Sequence, residues 1–374
     1  MARRDIGTDD PRVRVRPSRG SRPRTKQRPS HADAALGMVI RIDRGHYRIR
    51  LDDPGLTEDS GGNITAMKAR ELGRGKVVVG DRVAVVGDAS GRKGTLARMV
   101  RIEERTTLLR RSAEDGDAAG TERAIVANAH KLVIVTAVAD PEPRPRMIDR
   151  YLVAAYDAGM EPLIVLTKTD LADASPLEGL YSPLGVRCLA TRLSPHSLKP
   201  EPSRTGSNDE RPDDGIEAVR QALNGAISVL VGHSGVGKST LINALVPGAD
   251  RATGLVNEVT GRGRHTSTSL QALELPRGGW VIDTPGVRSF GVSHVNSADV
   301  LRGFPDLARV AEDCPRGCTH EDGVVDCALD AWAGTAEEPA ASGTSTTPEE
   351  RRARVESFRR LLAPSLEAED PTRP

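Results

Sequence analysis

The sequence has little of what marks a membrane protein or a secreted one. It contains no run of about 18 apolar residues, which excludes a membrane-spanning helix. Its basic N-terminus is not followed by an apolar core, so we expect no signal peptide. Three of its four cysteines lie within residues 314–327, which is not the framework of a secreted disulfide-rich domain. We therefore expect a soluble, cytoplasmic protein that acts as a monomer and has no membrane partner.

Charge is unevenly distributed along the chain. The net charge is +1, yet residues 1–112 hold 26 Lys and Arg against 14 Asp and Glu, a local charge of +12. The other 262 residues hold 27 against 38, a local charge of −11. A basic first third favours a polyanionic partner, with nucleic acid as the first candidate. The alternative is a tail that only keeps the chain solvated, since residues 1–34 are rich in Arg, Pro and Ser and we expect them to be disordered.

Residues 35–112 predict a small β-barrel. Short apolar stretches with partial alternation, separated by turn residues, indicate strands. They are LGMVIRI (36–42), HYRIRL (46–51), NITAMKAR (63–70), DRVAVVG (81–87) and TLARMVRI (95–102). Five such strands favour an OB-fold, with an SH3-like barrel as the alternative. Tyr47 is the one aromatic residue between positions 31 and 110, so surfaces for stacking single-stranded bases are scarce there.

Residues 113–292 predict a doubly wound α/β domain, because apolar strands alternate with helical patterns. The predicted strands are KLVIVTAVA (131–139), EPLIVLTK (161–168), AISVLVG (226–232) and GGWVIDT (278–284), and the predicted helices are IDRYLVAAYDAG (148–159) and STLINALV (239–246). Residues 194–215 are polar and predict a mobile surface loop.

Residues 293–363 predict a small helical domain that ends in a helix over 348–363. A polar linker over 333–347 precedes that helix, and a disordered tail over 364–374 follows it.

The stretch GHSGVGKST predicts a phosphate-binding loop, because it fits G-x-x-x-x-G-K-[ST] and lies between a buried strand and a helix. Glycines let backbone N–H groups point at phosphate oxygens, and the following helix adds its positive end. We assign nucleotide binding to Gly232, His233, Ser234, Gly235, Val236, Gly237, Lys238, Ser239 and Thr240. Lys238 is expected to bridge the β- and γ-phosphates, and Ser239 to bind Mg²⁺.

Two further motifs follow buried strands. In DTPG (283–286), Asp283 is expected to hold Mg²⁺ through water, and Gly286 to present its N–H to the γ-phosphate. In TKTD (167–170), the Asp170 carboxylate can accept both N–H donors of the guanine edge, with the Lys168 stem over the base. Thr167 and Thr169 complete that motif, although its more familiar form begins with Asn. The alternative is a strand-end turn that Asp170 caps.

The basic stretch GRGRHTSTS (261–269) lies between the phosphate-binding loop and DTPG, where a switch loop is expected. Thr266 is our candidate for completing Mg²⁺ coordination and Thr268 the second choice. Val287 follows DTPG where many hydrolases carry a Gln that orients water. His265 either takes that catalytic role or contacts phosphate or RNA.

CPRGCTHEDGVVDC (314–327) predicts a closed structural zinc site. Its Cys-x₃-Cys-x-His-x₆-Cys pattern offers three thiolates and an imidazole, which suit tetrahedral Zn²⁺. The predicted ligands are Cys314, Cys318, His320 and Cys327. Unligated thiols beside a surface histidine are the alternative. Cys188 lies apart from this cluster and is interpreted as a small buried hydrophobe.

These motifs, in this order behind a small barrel, resemble the ribosome small subunit-dependent GTPase A family. The resemblance covers roughly residues 35–330. It implies a circularly permuted P-loop GTPase between an OB-fold and a zinc domain, in which the base-reading motif precedes the phosphate-binding loop. It also implies GTP and GDP as ligands, the 30S subunit and its 16S rRNA as partners, and ribosome-stimulated hydrolysis late in 30S maturation. The departures are Thr167 in place of Asn, and x₃/x₆ zinc-ligand spacings where x₄/x₅ is frequent.

Two other functions remain open at the level of sequence. One is an RNA-binding scaffold in which the nucleotide only sets the conformation. The other is a P-loop ATPase or kinase, which applies if Thr167 abolishes guanine selection.

Overall fold

The protein is described by a computed structural model that covers part of the chain. The described residues are 31–43, 45–58, 60–72, 76–111, 123–193, 214–247, 249, 270–284, 295–334 and 347–363. The predictions for both terminal tails, for the greater part of the 194–215 loop and the 333–347 linker, and for 261–269 and Gly286 lie outside these residues.

Five strands form a closed barrel at the start of the described chain. They are β1 (Ala35–Asp43), β2 (His46–Leu51), β3 (Asn63–Lys68), β4 (Arg82–Gly87) and β5 (Ala97–Ile102). The strand order is β1-β2-β3-β5-β4, and β4 pairs back onto β1. The β3–β5 pair is parallel and the others are antiparallel. This Greek-key closure is that of an OB-fold, so the predicted barrel is confirmed and the SH3-like alternative is set aside.

The barrel interior is filled by aliphatic side chains from alternate strand positions. Val39, Ile49, Val83 and Met99 are fully buried there. The intervening positions, such as Arg48 and Arg98, are exposed. The alternation seen in the sequence therefore separates a dry core from a basic outer face.

A short antiparallel pair follows the barrel. It consists of β6 (Leu108–Arg111) and β7 (Arg123–Ala127). The sequence pattern predicts neither strand. Their pairing joins residues on both sides of the proposed boundary at 112, which stays a prediction.

A parallel sheet with one antiparallel edge carries the rest of the α/β region. Its strands are β8 (Lys131–Ala137), β9 (Glu161–Thr167), β10 (Arg187–Ala190), β11 (Ile227–Val231), β12 (Gln271–Glu274) and β13 (Trp280–Asp283). The order is β10-β9-β8-β11-β13-β12, with β12 antiparallel to β13. The other neighbouring pairs are parallel. Arg41 of β1 pairs with Gln271, so the barrel continues this sheet beyond β12.

Helices cover both faces of the sheet. They are α1 (Pro145–Asp157), α2 (Ser175–Tyr181), α3 (Ile216–Leu223) and α4 (Lys238–Leu245). Alternate residues of β8 and β9 enter two separate cores, one containing α1 and α2, the other α3 and α4. The C-terminal ends of the parallel strands therefore open at one edge between the layers, where ligands bind in such folds.

Among the described residues, the C-terminal region contains four helices. They are α5 (Ser297–Leu301), α6 (Pro305–Ala311), α7 (Ala328–Gly334) and α8 (Pro348–Leu362). Thr347 and Glu350 form a capping box at the start of α8, where the sequence predicts a helix. Phe304 packs between Phe358 of α8 and Tyr156 of α1, with ring centroids 5.4 and 4.8 Å apart. These aromatic contacts attach the C-terminal helices to the α1 face of the sheet.

No helix among the described residues combines the length and the apolar character needed to cross a membrane.

Candidate functional site

A glycine-rich turn joins β11 to α4. Gly232 has φ +154°, and a Cβ there would lie 2.3 Å from the Val135 carbonyl oxygen, so no larger residue fits. Gly237 has φ +88° and is the N-cap of α4. The turn leaves the first N–H groups of α4 facing the open sheet edge. This end of a helix carries a partial positive charge and binds anions.

A lysine and a carboxylate meet beside this turn. Because β13 is the parallel neighbour of β11, Asp283 ends its strand next to the start of α4. Lys238 Nζ lies 3.6 Å from Asp283 Oδ1 and 3.5 Å from the Thr284 carbonyl oxygen. Asp283 is only 6% exposed, so the pair lies in a place of weak solvent screening. The first two residues of DTPG and the GKS lysine are therefore brought together.

Thr167 connects the TKTD motif to the glycine-rich turn. It ends β9 and is 4% exposed. Its hydroxyl donates a hydrogen bond of 2.6 Å to the carbonyl of Val236, which lies 69 residues away in the sequence. One hydrogen bond therefore joins TKTD to the glycine-rich turn, two motifs that occur in the chain in the reverse of their usual order.

The rest of TKTD lies in the turn after β9. Lys168 has φ +59°, and its ammonium donates to the Asp140 carbonyl in the loop after β8. Asp170 is exposed. Its carboxylate can therefore reach a ligand from this loop. The Lys168 stem is held at the same sheet edge, between the loops that follow β8 and β9.

Thr191 belongs to this edge, although no motif in the sequence marks it. It follows β10, is 1% exposed, and its N–H donates to the Leu166 carbonyl at 2.7 Å. Its carbonyl accepts from the Thr169 hydroxyl at 3.1 Å. The signal in the sequence was weak because β10 has only four residues. A polar residue directly after a short apolar run was the only indication.

Cys314, Cys318, His320 and Cys327 form a second site in the loops between α6 and α7. Their ligand atoms all lie within 4.8 Å of one another. His320 Nδ1 is 3.6, 3.4 and 3.9 Å from the three sulfur atoms. A tetrahedral zinc with bonds of about 2.3 Å to sulfur and about 2.1 Å to nitrogen requires N···S separations of about 3.6 Å. The four residues can hold one metal ion, and their spacing fits structural zinc.

The surroundings of this cluster favour metal binding. The Ala328 N–H donates to Cys314 Sγ at 3.3 Å, as backbone amides do to metal-bound thiolates. Burial, followed by the charge of Arg359, lowers the pKa of His320, which keeps the imidazole neutral and able to coordinate. Burial raises the pKa of Cys314 to about 11, which opposes formation of its thiolate until a metal ion displaces the proton.

Helix α8 supports the cluster from outside. Arg359 Nε donates to the His320 carbonyl at 3.0 Å, and its two terminal nitrogens contact Asp330 at 2.7 and 2.8 Å. Neighbouring Arg360 contacts Asp149 of α1, 3.2 Å away. One turn of α8 is therefore bonded to both the metal cluster and the α/β region.

The predicted switch residues lie outside the part of the chain that the structure describes. This applies to His265, Thr266 and Thr268, and also to Gly286 and Val287. Their roles stay predictions.

Comparison with known proteins identifies the family. Residues 102–293, about half of the chain, match the family model described as RsgA GTPase. The chain belongs to the RsgA GTPase family. Its predicted enzyme class, a GTP hydrolase, is confirmed with it.

Curated relatives agree with this RsgA assignment. The chain is 36% identical over 292 residues to the small ribosomal subunit biogenesis GTPase RsgA of Pseudomonas savastanoi pv. phaseolicola, and 76% of each protein is covered. It is 39% identical over 295 residues to the protein of the same name from Pseudomonas syringae pv. syringae, again with 76% of each covered.

Two solved structures share the fold of this RsgA-family chain. YjeQ from Thermotoga maritima superposes with a TM-score of 0.57 at 24% identity, covering 88% of this chain and 98% of that one. YloQ, described as a circularly permuted GTPase, gives 0.56 at 20% identity, covering 90% and 97%. The permuted order is visible here, since β9 with TKTD precedes β11 and the glycine-rich turn in the chain. In the sheet, β9 and β11 lie on either side of β8. The predicted permuted GTPase fold is confirmed.

Proposed function

We propose that this chain binds GTP together with Mg²⁺, hydrolyses it to GDP and phosphate, and does so on the small ribosomal subunit late in its maturation. The observation that carries the proposal is the convergence of Thr167, Lys238 and Asp283 on one sheet edge, around the N-terminus of α4. The relatives named small ribosomal subunit biogenesis GTPases support the choice of partner.

Each nucleotide-site residue has a proposed task. Lys238 and the turn 232–237 bind the phosphates, and Gly286 donates its N–H to the γ-phosphate. Ser239, Asp283 and Thr266 would hold Mg²⁺, which, when bound, neutralises charge between the β- and γ-phosphates. Their oxygen atoms are the donors that this hard cation prefers.

The exposed carboxylate of Asp170 reads the base, because it can accept both N–H groups of the guanine edge. Adenine would leave the carboxylate without these partners, and such a loss discriminates strongly between substrates. The Lys168 stem packs over the base while its ammonium stays on the Asp140 carbonyl.

Hydrolysis by the isolated protein is proposed to be slow. The residue after DTPG is Val287, whose side chain cannot orient a water molecule. His265, or a group supplied by the ribosome, would take that role. Binding of the protein to the subunit would hold the switch residues in place, and the rate of GTP hydrolysis would rise.

The barrel is proposed to contact phosphates of folded 16S rRNA. Arg48 and Arg98 are exposed on the outer face of β2 and β5, and Tyr47 is the one aromatic residue of the region. Such a surface reads charge and shape more than stacked bases. A ribosomal partner would also place the protein in the cytoplasm.

Salt dependence tests the RNA contact. We expect binding to 30S subunits to weaken steeply with salt, and removal of residues 1–30 to make the dependence shallower, because fewer counterions are then released. Affinity is measured by co-sedimentation at several salt concentrations. An unchanged slope for the truncated chain would show that the tail does not touch RNA.

Phosphate release tests the proposed function directly. The rate with GTP is measured with 30S subunits, with 50S subunits and alone. We expect marked acceleration by 30S only. Equal rates in all three reactions would contradict a role on the small subunit, and competition by excess ATP would contradict guanine selection.

A further inference from the structure

The hydroxyl of Thr167 is fully used by protein carbonyls. A threonine side chain carries one hydroxyl hydrogen. Here it points to the Val236 carbonyl at 2.6 Å, and the next acceptor, the Thr136 carbonyl, is 3.3 Å away. Only 4% of the residue is exposed. The hydrogen therefore has no path to an acceptor on a bound ligand.

The same side chain packs on the end of the phosphate-binding turn. A Cβ built on Gly237 would lie 3.5 Å from Thr167 Oγ1 and 3.7 Å from its Cγ2. Gly237 directly precedes Lys238. The contact consequently lies between the loop that carries Asp170 and the residue that faces the phosphates.

An asparagine in this place would have different capacity. Its amide carries two N–H hydrogens, so one can bond Val236 while the other stays available for a base nitrogen. Threonine reproduces the first bond and has no hydrogen for a second. Replacement of Asn by Thr167 therefore removes one hydrogen-bond donor from the motif.

We propose that Thr167 is a positioning residue that fastens the base-reading loop to the phosphate-binding turn, and that it donates no hydrogen bond to the base. The imidazole nitrogen N7 of guanine then receives nothing from this position, and base selection falls on the carboxylate of Asp170. This inference rests on the proposed function, since it requires a guanine nucleotide in the site.

The first test compares GDP with 7-deaza-GDP, in which N7 is replaced by a C–H group. Both are titrated calorimetrically into the full-length protein with Mg²⁺. We expect dissociation constants within about twofold of each other, because no bond is lost. A loss of about tenfold or more, the effect of one good hydrogen bond, would overturn the inference.

Two substitutions test the positioning role. Thr167→Val keeps the shape and removes the hydroxyl, leaving a buried carbonyl without its donor. We expect it to weaken GDP and 7-deaza-GDP by the same factor of about 5 to 20. Thr167→Ser keeps the hydroxyl and is expected to stay within about threefold of the unmodified protein.

The inference can be tested even if one variant fails to fold, because the comparison of GDP with 7-deaza-GDP uses the unmodified protein. A Thr167→Val defect confined to GDP, absent for 7-deaza-GDP, would show a base contact and overturn the inference. Asp170→Asn serves as the positive control and should shift preference from GDP towards xanthosine diphosphate. If ADP bound as tightly as GDP, the proposed function would fall. If GDP bound more tightly than ADP but 7-deaza-GDP bound much more weakly than GDP, the proposed function would stand and only this inference would be wrong.

Discussion

The proposed nucleotide site and the metal cluster are assembled in opposite ways. The first joins residues far apart in the sequence, since Thr167 and Val236 are separated by 69 positions and follow the parallel strands β9 and β11, which flank β8 in the sheet. The second draws its four ligands from residues 314–327 and places them in loops. A site built on strand ends is held by the sheet core whether or not a ligand is bound. A site built from one short loop depends on its ion and on what packs against it.

Loss of a metal ligand should have the largest effect of the changes considered. That effect should be confined to the metal cluster and should not reach the proposed nucleotide site. Cys327→Ser is expected to abolish metal binding and unfold the cluster, because structural zinc contributes roughly 10 kcal/mol or more to such modules. GDP affinity should stay within about threefold, since no cluster residue reaches the sheet edge. Metal content and calorimetric GDP titration are the measurements.

Cys188→Ala is the matched control for that experiment. Cys188 lies in β10, outside the cluster, and is partly buried against the core, not fully buried as the sequence predicts; burial raises the pKa of its thiol to about 11, which makes it unreactive. It should retain the full metal content. Loss of GDP binding in Cys327→Ser alone would show that the two sites are not independent.

The reverse experiment removes the cation that is proposed to bind phosphate. Lys238→Ala should lower GTP hydrolysis by at least about a hundredfold, because a charge facing the transferring phosphate is lost. Metal content should be unchanged, since Lys238 is not one of the four metal ligands, whereas thermal stability should fall, because the buried Asp283 carboxylate loses this cation. If this variant still supported 30S maturation in cells, the protein would act as a scaffold and hydrolysis would be incidental.

An intermediate effect is expected where α8 supports the cluster. Arg359→Ala removes the bonds to His320 and Asp330, and outer contacts of this kind typically change metal affinity by about 10- to 100-fold. Arg352→Ala is the control, because its side chain contacts the carbonyl of Pro348 within the same helix. Zinc affinity is measured by competition with a chelator. Equal affinities for the two variants would show that the loop holds its ligands unaided.

The smallest effect concerns the ion pair between α6 and α8. Arg354 contacts both Asp306 oxygens at 2.8 Å and also the Pro183 carbonyl. Burial tends to raise the pKa of Asp306, but the hydrogen bonds and charge of Arg354 outweigh it and lower the pKa. A lowered carboxyl pKa stabilises the fold above the unfolded value of about 3.9, and this contribution is lost as the pH falls through the folded value.

Asp306→Asn should therefore reduce the free energy of unfolding by about 1 kcal/mol at pH 7, with the difference shrinking below about pH 4. Urea unfolding across pH measures it. A difference that persisted unchanged at pH 3 would point to packing, not charge. Such a result would show that the contact between α6 and α8 has no electrostatic part.

The sequence predicts well the features that local pattern determines. The barrel strands, the buried strands β8, β9 and β11, the glycine-rich turn and the four metal ligands are each signalled by adjacent residues. The short strands β6, β7, β10 and β12 were not predicted, because each has four or five residues and none leads into a recognisable motif, as the equally short β11 and β13 do. Contacts such as Arg359 with His320 were not predictable, since nothing in either neighbourhood specifies the partner. Thr167 was recognised as unusual, but its acceptor only becomes apparent once β9 and the turn are adjacent.

The pairing of Arg41 with Gln271 has a consequence for the edge of the α/β sheet. β12 is the outermost strand of the α/β sheet, and such a strand offers backbone donors and acceptors to any other chain. Here β1 takes that place, and Arg50 of β2 adds an ion pair to Glu274 at 3.2 Å. The barrel thus shields the margin of the enzyme's sheet as well as presenting a basic surface. A chain that lacked residues 1–103 would lose the barrel. Strand β12 would then be an exposed edge that could pair with β12 of another copy.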